Sequence, residues 1–189
     1  MKRSLITLAL TAAQLAPALA QVDVAKSSVP QGFPSVIVAI SKQMGVPVEG
    51  KFKRFTAQIS FDPAKPAEGK ASVDIDIASF DLGADDFNRE TVKPEWFNAA
   101  KFPKATFVTS AIKPAGAGKF EATGKLTIKG ITRDVVAPVS FRAEGGQQVF
   151  EGVLPIKRLA FNIGEGAWKD TSTVADDVQI RFRIVTARK

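Results

Sequence analysis

Carboxylates, hydroxyls and basic side chains carry whatever chemistry this chain can do, because it contains neither His nor Cys. That excludes imidazole general-base catalysis, thiolate nucleophiles, disulfides and His/Cys metal sites. Ser110 and Lys113 fit an S-x-x-K pattern. On a strand, an offset of three sends the two side chains to opposite faces, so they cannot act together. The acidic series Asp74, Asp76, Asp81, Asp85, Asp86 and Glu90 offers oxygen ligands but lacks the loop order and terminal Glu of an EF-hand. It reads as a solvated face with local ion pairs. Gly164-Glu165-Gly166 lacks the third glycine and the strand-to-helix setting of a dinucleotide loop, and reads as a bend. No enzyme, metal site or cofactor is expected.

The elements that position these residues have a period of two. Val73, Ile75 and Ile77 alternate with Asp74 and Asp76; Val178, Ile180, Phe182 and Ile184 alternate with Gln179, Arg181 and Arg183. Such strands keep one dry face. Phe55, Ala57, Ile59 and Phe61 alternate in the same way with Thr56, Gln58 and Ser60. Further strands are expected at 22–29, 33–43, 105–112, 119–129, 133–142 and 147–157, separated by Gly- and Pro-rich turns. The connections are short, which favours antiparallel neighbours. Residues 81–103 break the rhythm, and Pro94, placed as in a first helical turn, predicts a short helical insert there. Half-apolar strands with one such insert make a sandwich or a barrel. Closure leaves no exposed edge, so the expected fold is all-β: a closed antiparallel barrel of about eight strands.

Lys2 and Arg3 precede an apolar run from Leu5 to Leu15, and Ala18-Leu19-Ala20 supplies a small-x-small cleavage pattern. Residues 1–20 are therefore expected to be a signal peptide, with residues 21–189 the mature domain in a periplasm or the medium. Cleavage removes Lys2 and Arg3 and lowers the net charge of +7 by two. The remaining basic side chains are scattered among the strands rather than gathered on one surface, so no nucleic-acid partner is expected. A solvated outer surface or attraction to anionic lipid headgroups explains them.

An ordered series of motifs then carries a resemblance. Gly45-Val46-Pro47-Val48-Glu49-Gly50-Lys51-Phe52-Lys53-Arg54-Phe55, Ile59-Ser60-Phe61-Asp62-Pro63 and Ile75-Asp76-Ile77-Ala78-Ser79-Phe80 come first. Trp96-Phe97-Asn98-Ala99-Ala100-Lys101-Phe102-Pro103, Gly124-Lys125-Leu126-Thr127-Ile128-Lys129-Gly130 and Ile156-Lys157-Arg158-Leu159-Ala160-Phe161-Asn162 follow in order. Over residues 22–187 the chain resembles the YceI-like family of secreted bacterial proteins. Two departures accompany the match: residues 30–38 look inserted, and Met44 stands where many members carry a His. The resemblance implies a lipocalin-like barrel whose elongated cavity binds a long-chain isoprenoid or similar amphiphile, such as a prenyl phosphate or isoprenoid quinone. By analogy with some relatives, it also implies a membrane cytochrome as a partner.

With 14 Phe, no Tyr, and Trp96 and Trp168 as the sole donor-bearing aromatics, the chain has rings enough either to line such a bore or to fill it. The ligand-binding candidates are Phe52, Phe55, Phe107 and Phe161, with Trp96, Phe97 and Trp168 near a mouth or lid. Plain core packing is the alternative for each. Arg89, Arg133 and Arg158 are head-group candidates, against ordinary pairing with carboxylates. Burying one isoprene unit contributes about 3–4 kcal/mol gross, whereas association costs about 4–15 kcal/mol, so a binder must enclose several units. The expected function is a carrier. The rivals are a solid-cored interaction module for a membrane redox partner and a lipid-acting hydrolase using carboxylates.

Overall fold

A computed structural model describes residues 35–187. The leader expected at 1–20, the strand expected at 22–29 and most of the apparent insertion at 30–38 lie outside the described residues. The last residues of that insertion, Val36 to Val38, begin the first strand instead.

Ten strands and one short α-helix are present among the described residues: β1 (Val36–Gln43), β2 (Val46–Phe52), β3 (Phe55–Ser60), β4 (Lys70–Asp76), β5 (Phe80–Asp81), α1 (Asp85–Thr91), β6 (Lys104–Gly116), β7 (Lys119–Ile128), β8 (Ile131–Glu144), β9 (Gln147–Lys157) and β10 (Asp177–Ala187). They form a single antiparallel sheet in the order β3-β4-β6-β7-β8-β9-β10-β1-β2-β5. The expected closed barrel of about eight strands is thus corrected to a ten-stranded, curled and unclosed sheet with β3 and β5 at its ends.

Two kinks cause the difference. Lys53-Arg54 separates β2 from β3, and a 3-10 turn over Ile77–Ser79 separates β4 from β5. β2 pairs with β5 only at Lys51↔Asp81 and Phe52↔Phe80, while β3 pairs with β4 from Phe55↔Ile75 to Ser60↔Lys70. Between these ladders the kinks hold each other. Asp76 N–H donates to Arg54 O at 3.0 Å and Lys53 N–H to Ser79 O at 3.1 Å. Buried Ser79 accepts the Arg54 N–H on its hydroxyl at 3.0 Å. The kink also resets the alternation: Val48, Gly50 and Phe52 are the more buried positions before it, and Phe55, Ala57 and Ile59 after it.

β1 and β2 meet in a tight turn at Met44-Gly45, where φ is +50° and +81°, the sign that two-residue hairpins require. This turn, the 82–103 insert and the 158–176 loop lie at one end of the curled sheet, and the Gly116–Gly118 and Gly145-Gly146 turns lie at the other. The insert departs from expectation. Its helix is α1, seven residues before Val92, and Pro94 lies beyond it in hydrogen-bonded turns rather than opening a helix. Asp85 and Asp86 occupy the first turn of α1 and Arg89 the last, the order that the helix dipole favours. A proline shortly after a helix end is a stop signal.

Candidate functional site

The inward faces of the strands do not meet. They enclose an apolar cavity of about 380 Å³, within the range of roughly 300–1,000 Å³ typical of small-molecule sites. Val73, Ile75 and Ile77 form one wall, and Val178, Ile180 and Ile184 another, as the period-two reading predicts.

Glycine keeps a phenylalanine-rich interior hollow. Gly50, Gly124 and Gly152 each sit mid-strand against a ring, that of Phe80, Phe107 and Phe182 respectively, so tightly that a Cβ would collide with it. All three rings line the cavity. They lie against bare backbone instead of crossing the bore, as rings do when they cover sheet glycines. At the far end the bore is stopped by clustered rings: Phe61 meets Phe120 at 4.9 Å and Phe141 at 5.1 Å between centroids, both edge to face, and Phe141 meets Phe150 at 5.4 Å in a tilted contact.

The other end is the mouth. Ser41, Gln43, Phe87, Glu90 and Thr91 line it from the β1–β2 hairpin and α1. Trp96 and Trp168 also line the cavity, with ring centroids 5.2 Å apart. The insert and the loop that bear them are tied together where Glu95 O accepts the N–H groups of Gly164 at 2.9 Å and Glu165 at 2.8 Å. Buried Lys129, in the turn between β7 and β8, fastens the same loop to the sheet by donating to Asn162 O at 2.7 Å and Glu165 Oε2 at 2.8 Å. That ion pair holds the Glu165 carboxyl below its ordinary value.

A sequence profile of the YceI-like domain matches residues 21–186. The chain belongs to the YceI-like family. This YceI-like chain is 32% identical over 146 residues to a UPF0312 protein of Ectopseudomonas mendocina, covering 74% of both. It is 56% identical to BcnA of Burkholderia cenocepacia, whose crystal structure superposes with a TM-score of 0.80 over 81% of this chain and 96% of that one. A Saccharophagus degradans domain at 16% identity shares the fold, with a TM-score of 0.64 over 82% of this chain and 94% of the other.

Of the residues singled out from the YceI-like sequence, Phe52, Trp96, Phe97, Phe107, Trp168 and Arg158 line the cavity. Phe55 and Phe161 do not. Phe55 follows the Lys53-Arg54 kink and packs on the core from beyond it, beside an outer dent shared with Asp74, Asp76 and Lys104. Phe161 is 2% exposed in a 3-10 turn over Arg158–Phe161 that interrupts the alternation after β9, and it packs within the hydrophobic core. Arg89 and Arg133 also lie off the cavity. Arg89 is exposed and pairs with Asp86 one turn away, and Arg133 reaches across the surface to Ala160 O at 3.2 Å.

Arg158 touches the cavity but has no donor left for a head group. Its five N–H groups go to the carbonyls of Ala175, Ile163, Gly164, Trp168 and Val174 at 2.7–3.2 Å, and its guanidinium lies 5.9 Å from the Trp96 ring centre. Burial pushes its pKa below the usual value, with Asp176 pulling the other way. Trp96 is the converse case: its Nε1 is buried without an acceptor among the described residues, which costs about 1–3 kcal/mol. The mouth residues Phe87 and Thr91 escape the sequence reading, and Glu90 enters it only as part of a solvated acidic face, because the pattern places the helix further along the chain than α1.

Proposed function

We propose that this chain is a non-catalytic carrier that holds a long-chain isoprenoid or similar amphiphile in its cavity. It works in the periplasm after cleavage near Ala20. One observation carries the reading: an apolar cavity of about 380 Å³ that is stopped by rings at one end and bordered by polar side chains at the other. A tail enters first and a head stays near the mouth. Three or four buried isoprene units contribute about 9–16 kcal/mol gross, which offsets an association cost of about 4–15 kcal/mol. The related fold from Saccharophagus degradans is described as a polyisoprenoid-binding domain, which supports the ligand class. The charged and apolar pattern of residues 1–20 supports export.

Purified protein extracted with organic solvent and analysed by mass spectrometry tests this. A co-purifying isoprenoid, or stoichiometric uptake of an added one by the delipidated protein, is the expected result. Protein that emerges empty and takes up no prenyl lipid overturns the carrier reading and leaves an interaction module in its place.

A further inference from the structure

Three of the six large apolar side chains that stand exposed among the described residues lie at the mouth: Met44 at 78%, Val46 at 63% and Phe87 at 59%. The other three, Val108, Val136 and Val153, lie away from it on strands, each opposite a polar partner: Lys125, Thr123 and Arg181 respectively. The mouth group continues the interior. Along β2 the inward positions run from buried Phe52 and Gly50 through half-buried Val48 to exposed Val46, and Met44 follows at the tip of the hairpin. The hairpin is held upright, because Met44 N–H donates to Thr173 O at 2.8 Å and Lys42 O accepts from Ala175 N–H at 2.9 Å. Phe87 faces the cavity from α1. The segments that form this end, residues 41–47, 82–103 and 158–176, carry six basic and seven acidic side chains, so the basic excess of the chain lies elsewhere. The rim is apolar at its tips and close to neutral.

Going beyond the carrier reading, we propose that the mouth docks on a zwitterionic bilayer surface, with Met44, Val46 and Phe87 sunk among its headgroups, and that lipid crosses during this contact instead of through water. The transfer step rests on the carrier reading; the docking does not. A lipid surface fits the rim better than a protein does. The three side chains expose roughly 300–400 Å² between them, whereas a stable protein interface buries about 1,000 Å² or more. Apolar tips on a turn and a short helix enter a fluid interface without needing a complementary shape. With no basic excess at the rim, burial of apolar surface drives the docking, and salt, which screens charges, leaves it in place.

Because the chain has no Cys, a single introduced thiol can carry an environment-sensitive fluorophore. With phosphatidylcholine vesicles, a fluorophore on Met44→Cys is expected to shift to the blue, in about 0.5 M salt as in low salt, and one on Ala117→Cys, exposed at the other end, is expected not to respond. Transfer of anthraniloyl-labelled farnesol from the protein to the same vesicles is expected to speed up in proportion to vesicle concentration. Met44→Ser combined with Val46→Ser is expected to slow that transfer at least about fivefold, with equilibrium uptake of the labelled farnesol unchanged as the control for folding. A Met44→Cys fluorophore that ignores phosphatidylcholine, or that responds only to anionic phosphatidylglycerol vesicles and is released by salt, overturns the docking. So does its burial in the absence of vesicles through self-association, which assigns the rim to a second copy of this chain. A transfer rate independent of vesicle concentration overturns transfer by contact. The fluorophore reads docking without cargo, so the two readings fail separately: protein that docks but takes up no isoprenoid refutes the carrier, and protein that takes up isoprenoid but does not dock refutes this inference.

Discussion

Arg158 and Asp81 show how single side chains hold the mouth in place. Guanidinium has five donors in a fixed fork, and at position 158 each one closes a carbonyl of the 163–175 loop or its neighbours. Its charge is thereby used for scaffolding rather than recognition. Asp81 does the same for α1. It accepts from Lys53 Nζ at 2.6 Å, Asn88 Nδ2 at 2.8 Å and Gly83 N–H at 3.0 Å, while Asn88 Oδ1 accepts from Leu82 N–H at 2.7 Å. The Lys53 bond first, then those from Asn88 and Gly83, lowers the Asp81 pKa from 3.8 to about 2. A carboxyl depressed in the folded state is protonated first in the unfolded state, so the stability it contributes is present above its ordinary pKa. That contribution disappears as the pH falls from about 4 through about 2. Thermal melts over this window should therefore decline more steeply for the wild type than for Asp81→Asn, which has no proton to take up. Parallel curves refute the role given to Asp81.

Within the strands, the decisive device is the pairing of an interior glycine with a ring. Gly50 is the cleanest case, because a Cβ there would meet only the Phe80 ring among its nearest atoms, whereas at Gly152 it would also meet Pro138 O. Gly50→Ala must push Phe80 into the bore. Overpacking of this kind costs about 1–3 kcal/mol, and ligand uptake should fall with it. Gly50→Ala combined with Phe80→Leu should recover uptake, measured as bound lipid per chain, and stability in urea unfolding. A Gly50→Ala protein that binds as much lipid as the wild type shows that the ring does not keep the bore open. Such pairings were not legible in the sequence, since nothing local says that Gly50 and Phe80 meet; β2 itself was obscured by Pro47 and Gly50 within seven residues. What was legible rests on locality. The alternation of Val73 with Asp74, or of Ile180 with Arg181, is dictated by the pleat alone and correctly separates wall from surface. The kinks at Lys53-Arg54 and Ile77–Ser79 escaped that reading because a one-residue change of phase needs a partner strand to be seen. Pro94 misled because it fits both the start of a helix and the region beyond its end.

Across the whole molecule the cavity has a direction, and exchange should respect it. The Phe61, Phe120, Phe141 and Phe150 rings stop the far end, while the mouth is rimmed by exposed apolar side chains: Met44 is 78% exposed and Phe87 59%. Phe87 also lines the cavity, beside the polar Ser41, Gln43, Glu90 and Thr91, so one side of the mouth carries apolar surface from the rim inward. A lipid tail leaving a bilayer or micelle can follow that apolar side past the polar mouth residues, and a tail at the far end would have to part four packed rings. The absence of Cys allows this asymmetry to be tested with a single introduced thiol. A bulky maleimide on Met44→Cys, at the tip of the hairpin beside the mouth, should slow the release of a fluorescent lipid several-fold. The same label on Ala117→Cys, exposed in a turn at the stopped end, should leave the rate unchanged. Both labels sit on tight surface turns outside the core, so neither should alter the melting temperature, and a rate change can be assigned to obstruction. Equal slowing by both labels, or slowing by Ala117→Cys alone, would mean that lipid passes through the ring-stopped end and that the mouth has been placed on the wrong side of the molecule.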